Sequence, residues 1–162
     1  MHATSKIPVW LFLITFALTF YGMGASFVES FVNYPTWRLI GPGEFVAYHR
    51  ALSPLIIGYM VIPLVVATFL TLLLAWFRPL PIPPWAIWVS VVLQVISWIS
   101  TATIQIPIQM ELSANGLSLP LIDQLIFTNF WYRKVPQVIN ILLFLWMASL
   151  MLRLNIKHKA DA

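Results

Sequence analysis

The sequence predicts an all-α protein, a four-helix transmembrane bundle whose helices run up and down in antiparallel order. Two observations carry this. The chain of 162 residues is 60% hydrophobic and only 9% charged, where a soluble domain carries about 25% charged residues. Four stretches, roughly 8–28, 51–77, 84–110 and 134–152, are long and apolar enough to cross a bilayer, which takes about 20 residues each. The length suits one transmembrane domain over 1–162.

The first stretch, 8–28, has a longer apolar core than a signal peptide and a single lysine, Lys6, before it. It reads as the first span. At 100° per residue Gly22, Ser26, Glu29 and Asn33 share an arc of about 60° on one face. A long connection, 29–50, follows. The second helix is expected to begin at Glu44, after the turn "GPG", with the acid at the positive helix end. His49 and Ser53 lie one turn apart at its start. The next linker, "RPLPIPP" at 78–84, is short and extended, and its last prolines suit the first turn of a third helix. There Gln94, Ser97, Thr101, Gln105 and Gln109 fall within about 120°, and Asn115-Gly116 is a good stop. After a second long connection, 111–133, the fourth helix is expected to begin near Pro120. Ser118 is its candidate cap and Asp123 lies in its early turns. Asn129, Arg133, Gln137 and Asn140 share an arc of about 80° on it, and Pro136 predicts a kink. From Pro120 to Arg153 is about 50 Å at 1.5 Å per residue, against a hydrocarbon core of about 30 Å. Helices two and four are thus expected to extend beyond the membrane on the long-loop side.

This plan puts both termini on one side of an integral membrane protein. Lys6, Arg78, Arg153, Lys157 and Lys159 fall on that side, and Arg38, Arg50, Arg133 and Lys134 on the other. The "KHK" tail after the last span tips the balance, so the sequence places both termini in the cytoplasm. Trp10, Trp76 and Trp85 then form an inner aromatic belt, and Tyr34, Trp37, Tyr48, Trp131 and Tyr132 an outer one.

Polar groups cannot face hydrocarbon unsatisfied, so the stripes are expected to turn inward and meet. Gln94, Ser97, Thr101 and Asn140 read as hydrogen-bonding glue between helices. Charged residues inside membrane segments default to function. Near the long-loop boundary the sequence gathers His49 and Arg133 as candidate catalytic or head-group residues. Glu29, Asn33, Glu44, Gln105, Gln109, Glu111 and Asn129 are the candidate ligand-binding residues. His49 suits acid–base work near neutral pH. Arg133 suits clamping an anion, or pairing with Glu29 or Glu111.

Several classes of chemistry are excluded. Cysteine is absent, which removes disulfides, thiolate metal sites and iron–sulfur clusters. His49 is the one histidine outside the tails, since His2 and His158 lie at the ends, and this argues against a bis-histidine haem. No ligand spacing supports a metal held by His49 with Glu29, Glu44 or Glu111, and no nucleophile elbow or phosphate loop is present. The net charge of +4 comes from scattered residues, so nucleic acid is not a partner. The sequence names no cofactor.

At "YPTWRLIGPGEFVAYHR", "WISTATIQIPIQMELSANG" and "LIFTNFWYR" the chain resembles a family of small, uncharacterised four-helix bacterial integral membrane proteins, distantly similar to the anthrone-oxygenase-like group. The resemblance covers most of residues 29–133. It rests on Glu44, Phe45, Tyr48 and His49, on Gln105 and Pro107, and on Thr128, Asn129, Phe130 and Arg133, the last spaced one residue longer than in the family. It implies the four-helix fold, a bacterial inner membrane and the same site residues. At Gln109 relatives carry histidine, so a metal site built on that histidine would lack a ligand here.

The function these readings lead to is binding, with conversion as its extension, of an amphipathic small molecule in a cavity near the outer leaflet. A lipid, quinone or polycyclic aromatic fits apolar walls with a few convergent polar groups. The alternatives are an accessory or assembly subunit of a larger membrane complex, its partner another membrane protein, and a small oligomeric transporter with Glu29 as coupling acid.

Overall fold

The computed structural model describes residues 6–160, and side chains over 7–153. The orientation argument's Lys6, Lys157 and Lys159 side chains, and those of His2 and His158, lie outside that range. Four helices are each long and apolar enough to span a membrane: α1 (Ile7–Leu39), α2 (Pro42–Phe77), α3 (Pro84–Asn115) and α4 (Leu119–Arg153). They pack antiparallel, each against its sequence neighbours, with α4 closing the bundle against α1. The protein is a four-helix integral membrane protein in contact with the lipid bilayer. Its outer surface fits that setting, with Ile14, Phe69, Val92 and Leu142 all more than half exposed, a surface that would aggregate in water.

The long connections expected at 29–50 and 111–133 are almost entirely helical. The turns that remain are Ile40–Gly41, 78–83 and 116–118. α2 starts at Pro42, two residues before Glu44, because proline at a first helical position has no N–H to leave unsatisfied. Ser118 occupies the cap position of α4 without a side-chain cap bond. Gly116 ends α3 at φ +89°, donating its N–H to the Leu112 carbonyl at 3.1 Å, a conformation that favours glycine. The helices contain 33, 36, 32 and 35 residues, about 48–54 Å at 1.5 Å per residue, so all four exceed the core thickness of about 30 Å. The extension expected for helices two and four is common to the whole bundle.

One device makes this length possible. Each helix carries a five-residue π turn: Glu29–Asn33, Ile57–Val61, Thr101–Gln105 and Phe130–Lys134. Each turn ends two residues before a proline: Pro35, Pro63, Pro107 and Pro136. A proline inside an α-helix lacks a donor, and its ring presses on the carbonyl four residues back. The wider turn moves that carbonyl away. The residue before each proline bonds five residues back instead, Tyr34 to Glu29, Ile62 to Ile57, Ile106 to Thr101 and Val135 to Phe130. The helices continue through these prolines, and a π turn lies just before Pro136, where a kink was expected.

A carbonyl freed in this way needs a partner in lipid. Tyr59 lies four residues before Pro63, and the Tyr21 hydroxyl of α1 donates to its carbonyl at 2.9 Å. Tyr21→Phe is expected to lower stability by about 0.5–1.5 kcal/mol, read by steric trapping in bicelles against Tyr48→Phe, whose hydroxyl makes no such bond. Equal values for the two variants would show that the bond contributes nothing.

The core divides into three layers. Towards the termini Phe12, Leu74, Ile82, Ile87, Phe144 and Met147 form an apolar cluster. Towards the α1–α2 and α3–α4 turns, Tyr34, Trp37, Phe45, Leu112, Ile122 and Leu125 form another. The polar side chains and the π turns lie between them.

Candidate functional site

In the lower part of the polar layer the interhelical glue expected of Gln94 and Asn140 is present. Gln94 Nε2 donates to Thr71 Oγ1 at 3.1 Å and Ser90 Oγ at 3.2 Å, and Ser90 Oγ donates to Asn140 Oδ1 at 2.6 Å, which ties α2, α3 and α4 together. Ser97 and Thr101 instead spend their hydroxyls on carbonyls of their own helix, those of Leu93 and Ser97.

Above this network α2 and α3 part. They pack closely at both ends, and a cavity of about 490 Å³ occupies the space between their π turns. The size lies within the range of small-molecule sites, about 300–1,000 Å³. Leu52, Ile56, Ile57, Met60, Val61 and Ile106 give it an apolar wall. Its polar side is built from all four helices: Glu29 and Tyr34 from α1, His49 from α2, Gln105 and Gln109 from α3, and Arg133 from α4. A smaller chamber of about 50 Å³ adjoins it through Trp98, Thr101 and Arg133, and leads down to Gln94, Gln137 and Asn140.

His49 is 2% exposed and joins α2 to α3. Its Nε2 lies 2.6 Å from Gln109 Oε1 and its Nδ1 2.8 Å from Ser113 Oγ. Gln109 Oε1 is placed to accept from Nε2. The imidazole stacks on Phe45 with centroids 5.6 Å apart, and meets the edge of Trp37 at 5.0 Å. Gln109 Nε2 reaches towards the Tyr34 hydroxyl at 3.5 Å, so a line of polar contacts runs from Ser113 through His49 and Gln109 to α1.

Glu29, 3% exposed, accepts from Asn33 Nδ2 at 2.5 Å, one turn along α1. Arg133, 6% exposed, lies beside Tyr34, and its Nε has no hydrogen-bond partner. The ion pair expected between Arg133 and Glu29 or Glu111 does not form. Among the described residues the only pair within 4.0 Å is the exposed Arg38–Asp123 contact joining α1 to α4. Trp37 Nε1 and Gln105 Nε2 are likewise buried without a partner.

Of the residues picked out from the sequence, Glu29, His49, Gln105, Gln109 and Arg133 line one cavity, and Asn33 supports Glu29 from behind. Asn33 and the other three do not line it. Glu44 is exposed and folds back over Gly41 at the start of α2. Glu111 is exposed on the outer face of α3. Asn129 is buried but turned to the α1–α4 seam, where it donates to Ser30 Oγ at 2.7 Å. Among the described residues no three His, Cys, Asp or Glu side chains gather as a metal ion would require.

The sequence reading missed three buried residues. Tyr34 and Trp37, assigned to the outer aromatic belt, are 2% and 1% exposed and line the cavity. Tyr48, Trp131 and Tyr132 stay on the surface. Lys134, counted as a loop charge, is 2% exposed between α4 and α1. Its Nζ donates to the Ser26 carbonyl at 2.9 Å, to Gln137 Oε1 at 3.0 Å and to Ser26 Oγ, and lies 5.4 Å from the centre of the Phe27 ring.

Fold and site together define a four-span integral membrane protein with a polar interior. Comparison with protein-family models, curated proteins and solved structures gives no match for this chain.

Proposed function

We propose that the protein binds an amphipathic small molecule between α2 and α3, its body against Ile57, Met60, Val61 and Ile106 and its polar head towards Arg133, Gln105 and His49. The observation that carries this reading is the cavity itself: buried polar side chains from all four helices border one side of a space walled by aliphatic residues. Interior charge in a membrane bundle is costly and marks functional sites. His49 has both ring nitrogens engaged by Ser113 and Gln109, which suits positioning the polar side over free acid–base work.

The same burial supports both termini in the cytoplasm. Arg133 and Lys134 lie inside the bundle, so the turn side presents only Arg38 and Arg50 to the interface, against Lys6, Arg78, Arg153, Lys157 and Lys159 on the other side.

The test is native mass spectrometry of the full chain released from its own membranes in a nonionic detergent, beside Met60→Trp, which fills the apolar wall. The expected result is a reproducible small-molecule mass on the native chain that Met60→Trp loses. A bare chain held by a second protein would instead make it a subunit of a complex, and the polar layer would be packing.

A further inference from the structure

We infer that the head group this cavity takes is an oxyanion, a carboxylate or phosphate carried on an apolar body. The inference rests on the cavity reading above and deepens it. Its first support is the hydrogen-bond inventory. Among the described residues four buried side-chain polar atoms lack a partner, and three of them belong to residues lining this cavity: Trp37 Nε1, Gln105 Nε2 and Arg133 Nε. All three are N–H donors. A buried donor without an acceptor costs about 1–3 kcal/mol, so three on residues that line one cavity favour a ligand rich in acceptor oxygens. The residues carrying them are 1%, 2% and 6% exposed.

The second support is charge. Arg133 is buried, lines the cavity and has no carboxylate within 4.0 Å. An anion beside it supplies acceptors and a counter-charge together, while an alcohol supplies acceptors alone and an ammonium supplies neither. Arg133 is the group suited to it, because guanidinium–carboxylate and guanidinium–phosphate bonds are among the strong ones.

The chemistry fits two sources, a free amphipathic carboxylate or the phosphate of a membrane lipid. The experiment is native mass spectrometry of the full chain in a nonionic detergent, titrated separately with dodecanoate, dodecanol, dodecylamine and phosphatidylglycerol. Retention of dodecanoate is expected to exceed that of dodecanol and dodecylamine by about ten- to hundred-fold. Arg133→Gln should lose this preference and Arg50→Gln, at an exposed arginine, should keep it. Gln105→Leu and Trp37→Phe each remove an unpartnered donor group. They keep the test open if Arg133→Gln fails to fold, each weakening dodecanoate by several-fold. Displacement of dodecanoate by phosphatidylglycerol assigns the oxyanion to a lipid head, and failure to displace assigns it to a free carboxylate. Dodecanol retained as well as dodecanoate, with both lost in Met60→Trp, overturns the head group and leaves the cavity standing. Retention that Met60→Trp does not touch, or no retention of any probe, overturns both.

Discussion

Replacing His49 with alanine is expected to lower the stability of the protein by about 3–5 kcal/mol, the cost of truncating a fully buried ring. Although His49 borders the cavity, it also acts as a strut. It fills the space between Phe45 and Trp37 and bridges Gln109 and Ser113. His49→Phe separates the two roles: it keeps a ring in place and removes both polar contacts, for an expected loss of about 1–3 kcal/mol. Both are read by steric trapping in bicelles. Native stability in His49→Ala would show that α2 and α3 hold together without the ring. Ligand loss in His49→Ala is therefore ambiguous by itself, and Arg133 and Met60 are the better positions for testing binding.

The second large effect is one of sign. Lys134→Met is expected to leave stability unchanged or raise it, by up to about 4 kcal/mol. Exchanging a buried amine for an apolar side chain of similar size relieves its desolvation. Ser26 and Gln137 do not lose by the exchange, because Ser26 Oγ already lies within hydrogen-bond reach of Gln137 Oε1, at 3.3 Å. Ser26→Ala works the other way. It keeps the Lys134 amine and takes away an acceptor, with an expected loss of about 1–3 kcal/mol. Unfolding free energies of the two variants, measured side by side, decide the matter. A fall of more than about 2 kcal/mol in Lys134→Met would show that the positive charge is itself required against Glu29.

The spans were readable because twenty apolar residues in water have few alternatives. The inward faces were readable because Ser26, Glu29, Gln105, Gln109, Arg133 and Gln137 recur at helical spacing and cannot face lipid. The π turns were not readable, and they account for the misplaced residues. On an α-helical wheel Tyr34 lies about 140° from Glu29, so it points away from the site. Tyr34 in fact bonds back to the Glu29 carbonyl across a five-residue turn, which stacks it near the same face. Arg133 and Lys134 are sequence neighbours that both reach the interior from one such turn. Pro35 and the "GPG" stretch look like the boundary of a loop, which hid the last two turns of α1 and the inward position of Trp37. Glu111 had the depth of the site but lies about 240° round α3 from Gln105. Depth without direction put it in the wrong set.

The placement of the buried charges also bears on how the chain is made. α4, the last of the four helices to leave the ribosome, carries both interior cations, and its neighbour α1 leaves first. A helix carrying arginine and lysine partitions poorly into lipid alone, at about 2.5–3.5 kcal/mol for each such residue placed centrally. By the time α4 emerges, the Ser26 carbonyl and Ser30 are already in the membrane on α1, waiting to receive Lys134 and Asn129. Insertion of the final helix and closure of the bundle are then one event, and a nascent chain halted before Leu119 leaves the acidic face of α1 turned to lipid.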